Sequence, residues 1–348
     1  MARPSGQTSG KGDGDVERAL GAFLAGQGYD RVAIENLARI GGGTSRRQWR
    51  LDAVLEKDGR VERRQLVARG DPPGSHLWSI SRSAEFGLLR ALGRAGVPVP
   101  QAFWVSTDPQ ILGSPFFVME RIDGETAPRP LLRDEAYAQA RQAAPRQLAA
   151  ALARLHGLDT ADPELAALPS TGDPPALGAV LHFQTALRRA ALEPRPVLEL
   201  ALRWLLGHLP ATSRRAVVHG DFRVGNFVYG PQGVRAILDW EIAHLGDPME
   251  DLSWLALRTW RFGVDEREVG GLCRLEDFLR DYESAGGPPV DRRALRFWEV
   301  LANLSWAVIT ILQARNHLDG YQRDVELASI GRRAAENELE LLELIEGG

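Results

Sequence analysis

The chain has 348 residues, a formal net charge of −4 and a single cysteine, Cys273. The length suffices for two lobes, and the small net charge gives no reason to expect a nucleic acid or an anionic membrane surface as a partner. One cysteine excludes an internal disulfide and fits a reducing compartment. The opening MARPSGQTSGKGDGD lacks the apolar segment of a secretory signal, and no uninterrupted apolar run approaches the roughly 20 residues of a membrane-spanning helix. We therefore expect a cytoplasmic protein that does not bind membranes.

The chain begins with a Gly- and Ser-rich tail, residues 1–14, that we expect to be disordered. An amphipathic helix capped by Asp15 is predicted next, and its apolar face carries Leu20, Phe23 and Leu24. Strands are then predicted over 32–40, 47–56 and 61–69. The last two are joined by KDG, which is typical of a hairpin turn.

A helix is predicted from Ser81 until the prolines of GVPVP break it, and AFWVS and FFVME read as two further strands. From about Asp134 onward the pattern is mainly helical, apart from strands within 215–240. This order predicts an α+β protein with a β-rich N-terminal lobe and a mainly helical C-terminal lobe.

Polar residues suited to catalysis concentrate in the segment VVHGDFRVGNFVYGPQGVRAILDWE, in which VVH, NFVY and VRAIL are predicted strands. The loop between the first two strands holds His219, Asp221, Arg223 and Asn226, and Asp239 follows the third strand. Phosphoryl transfer needs an Asp that accepts a hydroxyl proton, and an Asn with a second Asp that hold Mg²⁺ on the phosphates. Short polar residues also cap strands and turns, but the spacing H-x-D-x₄-N before an apolar strand ending in Asp is much more specific than one residue.

The motif HGDFRVGN, followed by ILDWEIAHLGDPMEDLSW, resembles the aminoglycoside phosphotransferase family, and within it the branch whose domain is fused in some proteins to an acyl-CoA dehydrogenase. The similarity covers most of the chain. It implies a bilobal protein-kinase-like fold, with a nucleotide-binding N-terminal lobe over 15–122 and a catalytic and substrate-binding C-terminal lobe over 123–348. It also implies ATP and Mg²⁺ as cofactors, while GTP in place of ATP stays open.

Two parts of the N-terminal lobe would then contact the nucleotide. GGGTSR lies between two predicted strands, where a glycine-rich loop covers phosphates with backbone N–H groups, although glycines between strands also make plain hairpins. The loop residues concerned are Gly42, Gly43, Thr44 and Ser45. FFVMERIDG reads as the strand that leads into the interlobe hinge, so the backbone around Glu120 and Ile122 would meet the adenine edge and Met119 would line its apolar slot.

The third strand of such a fold usually presents a lysine to the α- and β-phosphates. The two lysines here, Lys11 in the tail and Lys57 in a turn, cannot take that place, and the residue that matches it is Arg69. A guanidinium stays charged and can fork two phosphate oxygens, so the exchange is workable. Glu85 on the following helix is the expected ion-pair partner of Arg69; a solvated helix glutamate is the alternative.

The resemblance also assigns roles in the catalytic loop. Asp221 is the candidate general base, or the group that orients the substrate hydroxyl, and Asn226 and Asp239 are the candidate Mg²⁺ ligands. Arg223 could reach the transferred γ-phosphoryl group, with a loop-surface arginine as the alternative. His219, at a strand end, is expected to brace the loop.

Two acidic residues follow the motif. We expect Asp251 to bind the backbone of the catalytic loop and Asp247 to cap the helix EDLSWLALRTW.

The acceptor pocket is expected from the helices after Asp251 and near 293–317. Their candidate residues are Trp254, Arg258, Trp260, Arg261, Trp298, Asn303, Trp306, Arg315 and His317. Aromatic and arginine side chains favour a neutral or anionic acceptor with an apolar portion over a polycation that needs clustered carboxylates. The resemblance to the branch fused to acyl-CoA dehydrogenases suggests a hydroxyacyl thioester as such an acceptor. The alternative is that the tryptophans are core and the arginines face water.

The sequence thus favours an ATP- and Mg-dependent small-molecule O-phosphotransferase. Two alternatives stay open. One is a catalytically silent kinase-like domain that binds a nucleotide, which the arginine at the lysine position keeps in view. The other is an antibiotic- or choline-type kinase; the segment ILDWEIAHLGDP is too short for the activation segment of a protein kinase.

Overall fold

A computed structural model describes residues 12–40, 47–71, 79–211, 214–321 and 324–347 of the chain. The described residues form two compact units. The first comprises those of Met1–Gly93 and Pro100–Ile122, and the second those of Arg94–Val99 and Asp123–Gly348.

The first unit is an antiparallel sheet flanked by helices. Its elements are α1 (Asp13–Ala25), β1 (Arg31–Arg39), β2 (Arg47–Lys57), β3 (Arg60–Gly70), α2 (Arg82–Arg94), β4 (Ala102–Ser106), α3 (Pro109–Leu112) and β5 (Phe116–Glu120). The strand order is β1-β2-β3-β5-β4. Asp58 and Gly59, with φ of +50° and +71°, form the two-residue turn between β2 and β3. The KDG hairpin predicted from sequence is thereby confirmed.

Helix α1 begins earlier than the sequence analysis expected. Its N-cap is Gly12, so Asp13 and the predicted cap Asp15 both lie in the first turn, where carboxylates interact favourably with the positive end of the helix dipole. The predicted apolar face is confirmed, because Leu20 and Leu24 are fully buried against the sheet. Residues 1–11 of the expected tail lie outside the described residues.

Segment Arg94–Val99, expected within the N-terminal lobe, belongs to the second unit instead. Four contacts join it to that unit. Arg94 forms ion pairs with Asp162 and Glu164, at 2.7 and 2.5 Å. The carbonyl oxygen of Gly96 accepts from Arg154, and that of Pro98 from the N–H of Ile237.

The second unit is mainly helical, as predicted. Its helices are α4 (Pro128–Arg133), α5 (Ala138–His156), α6 (Pro175–Ala190), α7 (Pro196–Gly207), α8 (Met249–Leu255), α9 (Leu275–Ser284), α10 (Arg292–Leu318), α11 (Val325–Ile330) and α12 (Ala334–Glu346). Its strands are β6 (Ala216–Val218), β7 (Phe227–Gly230), β8 (Gly233–Ile237) and β9 (His244–Gly246). Strand β6 pairs with β9, which the sequence analysis did not predict, and β7 pairs with β8. The two pairs hold both ends of the loop that follows β6.

Helix α10 is the one helix among the described residues that is long and apolar enough to cross a membrane. Within its apolar window, 78% is buried inside the protein. A helix at the centre of a helical unit has the same character, so α10 argues only weakly for a membrane span.

Candidate active site

One carboxylate binds the backbone of the loop between β6 and β7. Asp251, fully buried on α8, accepts the N–H of His219 with Oδ2 at 2.9 Å and the N–H of Gly220 with Oδ1 at 3.0 Å. Gly220 has φ of +82°, and a Cβ there would lie 3.0 Å from the carbonyl oxygen of Ile242, so the turn requires glycine. The predicted support role of Asp251 is confirmed.

His219 braces the loop through its imidazole, as expected. Its Nδ1 accepts the N–H of Asp221 at 3.2 Å, and its Nε2 donates to the carbonyl oxygen of Leu238 at 2.9 Å. These partners assign the neutral tautomer with the proton on Nε2. The ring is fully buried beside Trp240, so it lies in no position to exchange protons with a substrate.

A second buried histidine supports the same carboxylate. His156, at the end of α5, lies with Nε2 3.2 Å from Oδ2 of Asp251 and with Nδ1 2.7 Å from the hydroxyl of Tyr282. Burial works against ionisation of Asp251, but the contact with His156 and the backbone donors outweigh it and lower the pKa of that carboxyl. Sequence reasoning missed His156 and Tyr282, which lie 95 residues before and 31 after Asp251 and carry no local motif.

Asp247 forms a hydrogen bond with the first residue of α8. Its Oδ1 accepts the N–H of Met249 at 2.9 Å, and its Oδ2 accepts the N–H of Arg214 at 3.4 Å. Burial raises the pKa of the Asp247 carboxyl. The predicted capping role is confirmed, although Pro248 occupies the N-cap position itself.

Asp221 is the centre of the loop's polar network. Its Oδ1 accepts from the Nε of Arg223 at 3.0 Å and from the indole Nε1 of Trp254 at 2.8 Å. Its Oδ2 accepts from the Nδ2 of Asn226 at 2.6 Å. The side chain is still 26% exposed, so the carboxylate is held in place and remains reachable.

Asn226 and Asp239 are brought together by backbone pairing. The N–H of Leu238 donates to the carbonyl oxygen of Asn226 at 2.8 Å, which places Asp239 one residue beyond that bond. Asp239 adopts a left-handed conformation, with φ of +63°. The amide Nδ2 of Asn226 also donates to the backbone oxygen of Asp221, so both hydrogen bonds to Asp221 use the amide nitrogen and the amide oxygen is turned away from Asp221.

Arg223 lies against an aromatic ring. Its guanidinium is 4.5 Å from the centre of the Trp260 ring, a cation–π distance, while its Nε contacts Asp221. The side chain is 27% exposed. The arginine is therefore neither a free surface residue nor buried.

In the first unit, the predicted ion pair between Arg69 and Glu85 is confirmed. The Nε of Arg69 lies 3.3 Å from Oε1 of Glu85, and both residues are at most 4% exposed. The alternative of a solvated glutamate is wrong. A second arginine, Arg82, contacts Oε2 of the same carboxylate and was not considered from sequence.

Of the predicted hinge residues, Met119 and Glu120 are the last two residues of β5, and Ile122 follows the strand. Met119 is 9% exposed and pairs across the sheet with Val67. The N–H of Glu120 is taken by the carbonyl oxygen of Gln101 at 2.8 Å, whereas the described residues provide no backbone hydrogen bond to Ile122. The predicted phosphate loop, with Gly42, Gly43, Thr44 and Ser45, lies outside the described residues.

The residues predicted to line the pocket for the acceptor substrate do not form one group. Trp254, Trp260 and Trp306 pack together beside Asp221, with ring centres 4.9–6.1 Å apart. Trp298 is fully buried against Phe297, away from this cluster.

The remaining acceptor candidates have partners within the second unit. Arg258 pairs with Asp265 and Glu340, and Arg315 with Asp319. Arg261 binds the carbonyl oxygen of Ala256, Asn303 that of Glu299, and His317 accepts the N–H of Asp324. Arg258 and Arg315 therefore form ion pairs within the second unit, and the arginine-rich acceptor pocket stays a prediction.

Comparisons with known proteins agree with this architecture. The family model described as "Phosphotransferase enzyme family" matches residues 36–298. Acyl-CoA dehydrogenase family member 10 of Mus musculus is 32% identical over 262 residues, which are 70% of this chain and 24% of that protein. Family member 11 of Homo sapiens is 29% identical over 246 residues, 70% of this chain and 30% of that protein. The chain thus spans about a quarter to a third of the length of these relatives.

Solved structures confirm the bilobal protein-kinase-like fold. A candidate aminoglycoside phosphotransferase from Ralstonia eutropha superposes with a TM-score of 0.73 at 21% identity, over 95% of this chain and 98% of that one. The GDP complex of aminoglycoside 2′-phosphotransferase-IIIa gives 0.61 at 15% identity, over 93% and 99%. A ternary complex of aminoglycoside phosphotransferase APH(4)-Ia with AMP-PNP and hygromycin B gives 0.59 at 16%, over 95% and 98%. At these identities the likeness shows the fold alone.

Proposed function

The chain belongs to the phosphotransferase enzyme family, and we propose that it transfers the γ-phosphoryl group of Mg·ATP to a hydroxyl group of a small molecule. The family assignment and the fold support phosphoryl transfer to a small molecule. The donor nucleotide, the metal and the acceptor are parts of the proposal.

One observation carries the proposal: the arrangement of Asp221 and Asn226 in the catalytic loop. The Nδ2 of Asn226 lies 2.6 Å from Oδ2 of Asp221, so the amide is oriented with its oxygen turned away from the carboxylate. Phosphoryl transfer requires a carboxylate that orients the acceptor hydroxyl and an amide oxygen that can bind the metal ion. Asp221 and Asn226 would supply these two groups.

Asp221 orients the acceptor hydroxyl and accepts its proton as the oxygen attacks phosphorus. The bond from phosphorus to the β–γ bridging oxygen then breaks, and ADP leaves. Arg223, held beside Asp221 and partly exposed, would contact the transferred phosphoryl oxygens. Because the negative charge on those oxygens is spread over the transition state, a nearby guanidinium stabilises it.

Asn226 and Asp239 would hold the magnesium ion. An amide oxygen and a carboxylate fit Mg²⁺, which prefers hard oxygen ligands and completes its shell with phosphate oxygens and water. Their elements are already joined through the Leu238 N–H bond, so the two donors need no large rearrangement to approach each other. When bound, Mg²⁺ would neutralise charge on the nucleotide phosphates.

The nucleotide would be gripped by the first unit. Arg69, oriented by Glu85, would contact the α- and β-phosphates, and the backbone of Ile122 would meet the adenine edge beside Met119. Of the solved structures with this fold, one holds GDP and another holds AMP-PNP. We favour ATP and keep GTP as an arm of the test.

The acceptor proposed is a hydroxyacyl thioester or a similar neutral or anionic alcohol with an apolar portion. The relatives are named acyl-CoA dehydrogenases. The residues packed beside Asp221 are the aromatic rings of Trp254, Trp260 and Trp306 together with the Arg223 guanidinium. The three tryptophans are largely buried and pack behind the site, so Arg223, with 27% of its side chain exposed, is the group beside Asp221 that favours an anionic acceptor over the amines of a polycation.

A nucleotide-consumption screen tests the proposal. Purified protein would receive Mg·ATP or Mg·GTP with hydroxyacyl-CoA thioesters, aminoglycosides, macrolides, choline or homoserine. Asp221→Asn serves as the blank, and Asp277→Asn, at an exposed site on α9, serves as a matched control. We expect acceptor-dependent ADP formation with a thioester in the wild type and the control only. Equal consumption in the Asp221→Asn blank would overturn the site assignment, and nucleotide binding without any transfer would favour the silent domain.

A further inference from the structure

The carboxylate of Glu85 is shared between two buried arginines. Its Oε1 lies 3.3 Å from the Nε of Arg69, and its Oε2 contacts the Nη1 of Arg82, which is three residues earlier on α2. Arg82 is only 2% exposed. The ion pair predicted from sequence is thus one half of a larger buried network.

Arg82 is anchored at three places. Besides Glu85, its Nε lies 2.8 Å from Oδ1 of Asp71 at the end of β3, and its Nη2 donates to the carbonyl oxygen of Ile80 at 3.2 Å. A guanidinium with three fixed partners presents its fork in one orientation. Arg82 therefore fixes the position of the Glu85 carboxylate, which in turn sets the position of Arg69.

The charges in this network matter as well. A buried Arg69–Glu85 pair alone would be neutral, because the negative charge of Glu85 would largely cancel the positive potential of Arg69. Arg82 adds a second buried positive charge to the same carboxylate, while its other partner, Asp71, is 36% exposed and more strongly screened by water. The group around Glu85 thus keeps a positive field, which an anionic phosphate requires.

We infer that Arg82 is a positioning residue for nucleotide binding: by holding and partly neutralising Glu85, it leaves the charge of Arg69 available to the phosphates. This inference rests on the proposed function, in which Arg69 grips the nucleotide. It also accounts for how an arginine can stand where related folds use a lysine, because the bulkier guanidinium is fixed by a carboxylate that a second arginine orients.

The test is a calorimetric titration of Mg·ATP into Arg82→Gln, with thermal unfolding measured in parallel. Arg82→Gln is expected to weaken binding at least tenfold, since it removes a charged contact to a buried carboxylate. In an Arg69→Ala background the same change is expected to have no further effect on affinity, because Arg82 acts through Arg69. A purely structural role would lower the melting temperature equally in both backgrounds and leave the affinity of the folded protein unchanged, which would overturn the inference.

Two further variants keep the test decisive if Arg82→Gln does not fold. Arg82→Lys keeps a positive charge beside Glu85 and is expected to fold and to keep at least about a third of the wild-type affinity. A loss as large as tenfold in a folded Arg82→Lys would overturn the charge argument. Asp277→Asn, an exposed carboxylate on α9 outside this network, is the matched control and is expected to bind like the wild type. Failure of the wild type to bind any nucleotide would instead overturn the proposed function, and this inference with it.

Discussion

The indole N–H of Trp254 donates to Oδ1 of Asp221 at 2.8 Å. Trp254 lies on the short helix α8, three residues after Asp251, whose carboxylate binds the backbone of the same loop. One helix therefore fixes both the backbone of the catalytic loop and the carboxylate that the loop presents. Asp221 is placed by tertiary contacts as well as by the loop sequence.

Trp254→Phe removes this N–H and keeps most of the ring packing. We expect kcat to fall roughly tenfold, because a hydrogen bond to an ionised group contributes about 1.5–3 kcal/mol. The affinity for Mg·ATP is expected to stay unchanged. The matched control is Trp298→Phe, since the buried indole N–H of Trp298 has no hydrogen-bond partner in the described part of the chain. Equal losses of kcat in both variants would show that the N–H itself does not orient Asp221.

Asp221→Ala is expected to lower kcat by at least about a hundredfold, the usual contribution of a positioned acid–base group. Because Asp221 is 26% exposed and the loop is also held by Asp251, the variant is expected to fold and to bind nucleotide. Single-turnover kinetics with calorimetry on the same preparation measure both quantities. Activity near that of the wild type would remove Asp221 from the reaction.

Arg69→Ala is expected to reduce kcat/KM for ATP by roughly a hundredfold, the scale of a lost electrostatic contact in the transition state. Folding is expected to survive, because Arg82 still pairs with Glu85. Arg69→Lys is expected to recover part of the activity, since a point charge reaches phosphate without the bidentate fork.

Glu85→Gln is expected to resemble a milder Arg69→Ala, and the double variant to be less than additive. Additive effects would mean that the two residues act separately. Wild-type kinetics in Arg69→Ala would contradict the phosphate-gripping role.

His244 is expected to make the stability of the protein depend on pH. Burial lowers the pKa of its imidazole, but the Glu250 carboxylate at 3.2 Å and the Ile242 carbonyl oxygen raise it further, to about 9. A pKa raised above the unfolded value means that the ion pair stabilises the fold fully below about pH 6.5 and that this stabilisation is lost as pH rises through 9.

Urea unfolding of the wild type is therefore expected to show a decline on the order of 1–3 kcal/mol between pH 6.5 and 9.5 that Glu250→Gln lacks. The pH dependence is read as the difference between the two proteins, so that other titrating groups cancel. Parallel curves for the two proteins would contradict the ion pair.

The catalytic loop could be predicted from sequence because its chemistry is local. His219, Asp221 and Asn226 lie within eight residues, and the strands around them have clear alternation and turn residues. The pairing of Arg69 with Glu85 was also predictable, because the kinase-like resemblance fixes a strand and the helix that follows it.

The supporting residues were not predictable, for physical reasons. Trp254 read as core or acceptor pocket, since nothing in the sequence places its N–H beside a carboxylate 33 residues away. Arg82 was not predicted as part of the site, although its spacing from Glu85 is that of an i,i+3 pair. Its ion pair with Asp71 forms only in the folded first unit, and the sequence does not show that contact. The same limit applies to Arg258, whose acidic partner Glu340 lies 82 residues away.

The most direct measurement is the magnesium dependence of ATP binding in Asp239→Ala, by calorimetry in buffer with Mg²⁺ or with EDTA. In the wild type, we expect Mg²⁺ to strengthen ATP binding. Asp239→Ala is expected to abolish this gain, because it removes the anionic oxygen ligand beside Asn226. Asp277→Asn controls for a generic loss of negative charge. The account predicts Mg²⁺-dependent binding in the wild type and the control but not in Asp239→Ala; equal Mg·ATP affinity in all three proteins would contradict it.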